Sequence, residues 1–150
     1  MIVKKQIGWI ALLVCGVIAL CADPCGIAQT DGRQGPQLSS AETGAVNRKI
    51  ATLHSSADRK VAQSWSNAKK VAEVLCRPVA LTTLQRTTSG VDRVFLGTDA
   101  PDSLSLESNR RLIGSGQFRT PQGWQDFTFT CELNPETGKA TSFQTGPARQ

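Results

Sequence analysis

At Pro78 the chain changes its hydrophobic period, and that switch bounds the folds open to it. Upstream, Val46, Ile50, Leu53, Ala57, Val61, Ala68, Val71, Ala72 and Leu75 recur at threes and fours, the spacing of one helix face. Downstream, apolar and polar residues alternate. Between Trp124 and Leu133, Phe127, Phe129, Cys131 and Leu133 face one way, while Asp126, Thr128, Thr130 and Glu132 face the other. Helices first and strands second describe an α+β domain, with the helical half covering one face of an antiparallel sheet.

Ser39 followed by Glu42 is a capping-box pair, so the helical half starts there. Read as one rod, Ser40 to Leu75 makes a long N-terminal helix of roughly 50 Å. Its stripe is lean in large residues and needs a partner surface. Two outcomes follow. Either the rod breaks near Ser55-Ser56 or Ser64-Ser66, or its first half projects and self-associates with another copy of the chain. Pro78 disfavours helical geometry at Arg77, which ends the helix, and it can open a short second helix from Pro78 to Arg86.

The strands are expected at Val91–Leu96, at a short edge Ser103–Leu106, at Arg111–Arg119, at Trp124–Leu133 and at Lys139–Thr145. Turns at Asp99–Asp102, Thr120–Gly123 and Asn134–Gly138 separate them. The last three long segments form an antiparallel meander of three strands, four with Val91–Leu96. Gly114 and Gly116 inside a strand signal a bulge or the close approach of another backbone. The domain plan is then a signal over 1–28, a flexible arm over 29–38, one α+β domain over 39–146 (helical 39–86, β 91–145) and a tail over 147–150.

The amino terminus sets the compartment. Lys4 and Lys5 precede the apolar run Ile7–Ala22, and Gly26-Ile27-Ala28 carries the small residues a signal peptidase reads. Cleavage after Ala22 would leave Cys25, Cys76 and Cys131, an odd number. Cleavage after Ala28 removes Cys15, Cys21 and Cys25 and leaves an even pair, which suits export. Leu20 before Cys21 and Pro24 before Cys25 argue against lipidation. The apolar run is short of the ~20 residues that cross a bilayer, so no stable span follows cleavage; a retained anchor is the alternative. The protein is expected to be periplasmic or secreted, with a disulfide between Cys76 and Cys131. Such a bridge closes a loop of about 56 residues and is worth roughly 4 kcal/mol on the chain-entropy account.

Charge and missing motifs exclude more than they assign. The net charge of +5 is spread over short pairs, Arg48-Lys49, Arg59-Lys60, Lys69-Lys70 and Arg110-Arg111, without the basic blocks of nucleic-acid binding. On a helix the first three pairs share one face, solvated or weakly attractive to an acidic partner. His54 is the single histidine, which rules out sites built on several imidazoles, and bridged cysteines leave no thiolate for zinc. His54 beside Ser55, Ser56 and Asp58 spells a triad that neighbours on one helix cannot assemble. Asp99, Asp102, Glu107, Asp126, Glu132 and Glu136 offer carboxylates whose spacing favours no pair. No P-loop or dinucleotide fingerprint is present, so no cofactor is expected.

What remains is a candidate binding surface around the hairpin: Arg110, Arg111, Arg119, Trp124 and Asp126. Trp124 falls out of register with the Phe127–Phe129 row, beside arginines that dock a peptide, a glycan or an anion. The plainer reading is a tryptophan that covers the hairpin turn or packs under the helix.

Cys76, Arg93-Val94, Gly116-Gln117-Phe118-Arg119, Gly123-Trp124 and Phe127-Thr128-Phe129-Thr130-Cys131 form a frame that resembles small exported proteobacterial proteins, the DUF930 domain among them. The resemblance covers under half of the chain. It implies a periplasmic, disulfide-containing domain and brings no catalytic residue.

The sequence thus points to a non-enzymatic exported module that binds an envelope protein or cell-wall component. The alternative is a small inhibitor or immunity-type protein against a cell-wall hydrolase or toxin. A carboxylate-based hydrolase is a third and weaker reading.

Overall fold

The structure, a computed structural model, describes residues 35–98 and 102–148. The signal segment with Cys15, Cys21 and Cys25, most of the 29–38 arm, Asp99 and the end of the tail lie outside the described residues.

Among the described residues there is no long N-terminal helix. The helical half is three pieces, and serines divide it. α1 (Ser40–Ala51) starts from a complete capping box, in which Ser39 Oγ accepts from the Glu42 amide at 3.1 Å and Glu42 Oε2 accepts from the Ser39 amide at 2.8 Å. α2 (Ser56–Ser64) is capped by Ser55, and α3 (Asn67–Val71) by Ser66. A capping serine holds extended backbone angles, as Ser55 and Ser66 do here, and that interrupts the rod at 52–55 and 65–66. The three basic pairs consequently sit on separate helices rather than one shared face. His54 falls in the first break, exposed, and not on a helix.

The third piece does not stop at Pro78. A π-type turn (Ala72–Cys76) follows α3 and runs into α4 (Arg77–Thr87). The Arg77 amide donates to the Ala72 carbonyl, five residues back. Proline lacks an N–H and its ring collides with the carbonyl four residues earlier in an ordinary helix; one wider turn absorbs both. Residues 67–87 therefore form one rod that lies on the sheet.

The sheet has five antiparallel strands, not three or four: β1 (Arg93–Leu96), β2 (Leu104–Glu107), β3 (Arg111–Thr120), β4 (Gly123–Asn134) and β5 (Lys139–Gly146). Their order is β1-β3-β4-β5, and β2 shares with β1 the one open edge of β3. β2 takes Arg111–Gly114 and β1 takes Gly116–Arg119, end to end. Ser115 is the seam, its amide donating to Ser103 O and its carbonyl accepting from Gly97 N. Gly114 and Gly116 flank the seam because nothing larger fits. A Cβ would lie 2.4 Å from Ser103 O at the first and 2.5 Å from Phe95 O at the second.

The inner sheet face carries Phe118, Phe127, Phe129 and Phe143, whose rings meet at 5.3–6.4 Å between centroids. Val71, Leu75, Ala80 and Leu84 of the rod close over them. Burying each of the phenylalanine, valine and leucine side chains contributes roughly 1.5–3 kcal/mol. Cys76 and Cys131, both fully buried, join the rod to the sheet's central region. A smaller cluster of Val46, Ile50 and Ala62 holds α1 against α2, with Trp65 and Leu38 packed beside it.

Candidate binding surface

Alternation along the strands sends every second side chain to the face opposite the helices. Cross-strand register sets two rows there: Arg93, Arg119 and Trp124, then Phe95, Gln117 and Asp126. β1 and β4 flank β3, about 10 Å apart. Phe95 and Trp124 nevertheless stack, with ring centroids at 5.3 Å and planes 23° apart. They keep 41% and 45% of their surface exposed, which makes them the aromatic residues in contact with solvent in this part of the fold.

Polar pairs fix the ground beneath the two rings. Arg119 grips Asp92 with two bonds, Nε to Oδ1 at 2.9 Å and Nη2 to Oδ2 at 2.5 Å. Its guanidinium carbon also lies 5.8 Å from the Trp124 ring centre, within cation–π range. Gln117 Nε2 donates to Asp126 Oδ1 at 2.7 Å. The Arg119 hydrogen bond holds the Asp92 carboxyl below its ordinary 3.8, and the same contact pushes the Arg119 guanidinium further up. The cluster is pre-set: two rings, a charge pair and an amide–carboxylate pair on rigid strands.

The five residues of the sequence-derived surface do not all meet. Arg119, Trp124 and Asp126 come together. Arg111 lies roughly 27 Å away along β3. There its Nε pairs with Glu132 at 2.8 Å and its Nη1 with Glu107 at 3.6 Å. Arg110 sits in the turn before β3, where its carbonyl accepts from the Leu133 amide. Phe95, Asp92 and Gln117 complete the cluster and were not in the sequence-derived set. A four-residue strand between two turns does not announce which side chains face out, so nothing in the sequence singles out Phe95.

Two carboxylates, Glu107 and Glu132, do approach a common point, but the Arg111 guanidinium occupies it. Asp126 is engaged by Gln117. Asp102 and Glu136 belong to turns. Among the described residues, no nucleophile stands against a base in the manner acyl or glycosyl transfer requires. No described helix is long and apolar enough to cross a membrane.

Compared with protein-family models, curated proteins and solved structures, the chain matches none.

Proposed function

We propose that this chain is an exported, non-enzymatic binding module that holds another macromolecule of the envelope on the Phe95–Trp124 end of its open sheet face. The observation that carries the reading is the exposed aromatic stack. Two exposed rings stacked together form a contiguous apolar patch, the kind of surface that marks interaction sites, and tryptophan and arginine are enriched among interface hot spots. The Met1–Ala28 segment supports export with cleavage after Ala28. The Cys76–Cys131 bridge suits the oxidising compartment that export leads to. An inhibitor of a cell-wall hydrolase would be one form of the same module, using the same surface.

Site-specific photo-cross-linking in the producing cell tests it. A photo-reactive phenylalanine analogue replaces Phe95 in one variant and Val61, a more exposed apolar residue on α2, in another. A discrete adduct is expected from position 95 and not from position 61. No adduct from 95, or the same adduct from both, would overturn the reading.

A further inference from the structure

We infer that the ligand of this surface is an extended, acidic polypeptide segment laid along the open edge of β1. The inference rests on the binding reading above and narrows its partner class.

β1 is the end of the sheet, and beside it runs a groove of about 470 Å³. Lys49 at the end of α1, Arg77 and Leu81 on α4, and Val94 on β1 line it, with Phe95 at its rim. Phe95 therefore belongs to the groove and to the aromatic stack at once, which makes the two one continuous surface.

The charges in the groove do not balance. Glu73 is answered twice, by Lys69 at 2.7 Å and Arg77 at 2.6 Å. Asp92 is held by Arg119. Lys49 and Arg93, both exposed, make no salt bridge among the described residues. Each acidic group is thus already engaged, and an excess of cations faces the groove. The complementary occupant is acidic.

The backbone supplies the second half of the match. Leu96 O accepts from Lys69 Nζ at 3.0 Å, so that carbonyl points away from β3, whereas the Gly97 amide points into β3 to reach Ser115 O. Peptide groups alternate along a strand, so the N–H and C=O of Val94 also point to the groove. An added strand hydrogen-bonds to these groups, and its alternate side chains drop into the pocket floored by Val94, Leu81 and Pro78. Lys69 closes the far end of the edge, a device that keeps edge strands from pairing without limit. The occupant is accordingly short, about four to six residues, with acidic and apolar side chains alternating.

The probe is a capped, fluorescein-labelled octapeptide of alternating glutamate and valine, titrated into the purified, oxidised protein by anisotropy. Two further peptides carry methyl groups on either the valine or the glutamate backbone nitrogens. Binding is expected to weaken at least tenfold for one methylated register relative to the other, because only alternate N–H groups face the protein. Arg93→Glu and Lys49→Glu should each weaken it at least fivefold, and Lys139→Glu should leave it unchanged, with circular dichroism confirming that each variant is folded. Equal binding of both methylated peptides, or tighter binding of a sulfated polysaccharide such as heparin, would overturn the strand-addition proposal. No peptide binding together with a specific adduct from position 95 would overturn this proposal alone and leave the binding reading standing. Absence of both would sink the two together.

Discussion

Phe95 and Trp124 stack over a strand to which neither belongs. β3 separates β1 from β4, yet the two rings close to 5.3 Å above it, beside the Arg119–Asp92 pair. The contact exists because the strands are in register to within one diagonal step, so ring position reports on the whole edge of the sheet. A change beneath the rings should be felt by them.

Asp92 gives the first such change through pH. Its folded carboxyl titrates below 3.8 because Arg119 hydrogen-bonds the charged form. A depressed acid contributes above its unfolded value and loses that contribution as pH falls through the folded one. The pair should therefore hold at neutral and mildly acidic pH and dissolve only in strong acid. Carboxyl NMR should place the Asp92 midpoint below 3.8, and Arg119→Gln should return it upward. A midpoint at or above 3.8 in the unaltered protein would mean the pair is not formed in solution.

Reduction tests the covalent link. The bridge spans a separation of 55 residues. On the chain-entropy account, losing it should lower the melting temperature by roughly 10–20 °C. On the export reading, the intact mass of the protein recovered from the producing cells should correspond to a chain starting at Gln29, and it should rise by about 2 Da on reduction. A melting curve indifferent to reductant would remove the bridge from any account of stability.

Gly116→Ala tests the seam. Its Cβ would meet Phe95 O at 2.5 Å and the Phe127 ring at 3.0 Å, and backbone cannot step aside as a side chain does. The variant should lose about 1–3 kcal/mol in urea denaturation. Trp124 fluorescence should shift with it, since β1 carries Phe95. Gly146→Ala meets only the end of the Thr128 side chain, at 2.8 Å, and should cost less.

Ser39→Ala should cost about 1–2 kcal/mol, more than Ser55→Ala, although both serines cap helices. Ser39 does two tasks. It accepts from Glu42 N, and its hydroxyl donates to Pro135 O at 2.6 Å, which ties α1 to the β4–β5 turn. Ser55 caps its own helix in an exposed position. Equal losses for the two would mean the tie to the turn is without weight.

The strands were legible where alternation runs long. Trp124–Leu133 showed its buried row because ten residues fix a phase, and the same phase placed Trp124 and Asp126 outward beside Arg119. β1 is four residues long, too short to fix one, so Phe95 was missed. Pairing was illegible for another reason. β1 and β2 share an edge of β3 through contacts far apart in sequence, and only Gly114 and Gly116 hinted that another backbone comes close. The helical half misled through its period. Breaks at 52–55 and 65–66 leave the spacing of apolar residues almost undisturbed, so the stripe alone could not choose between one long rod and a rod broken near Ser55-Ser56 and Ser64-Ser66. The capping serines Ser55 and Ser66 decide it for the breaks. Pro78 misled in the opposite direction, because a single wide turn carries the helix past it.

The Cys76–Cys131 bridge has a mechanical consequence. Asp92, Arg93, Phe95, Arg119 and Trp124 all lie between the two cysteines, inside a closed ring of chain. A module under tension from its ends would yield α1, α2 and β5 first. Roughly 190 Å of contour would stay locked within the ring. The Phe95–Trp124 stack would outlast the partial unravelling of the protein that carries it, whereas Lys49 would leave with α1.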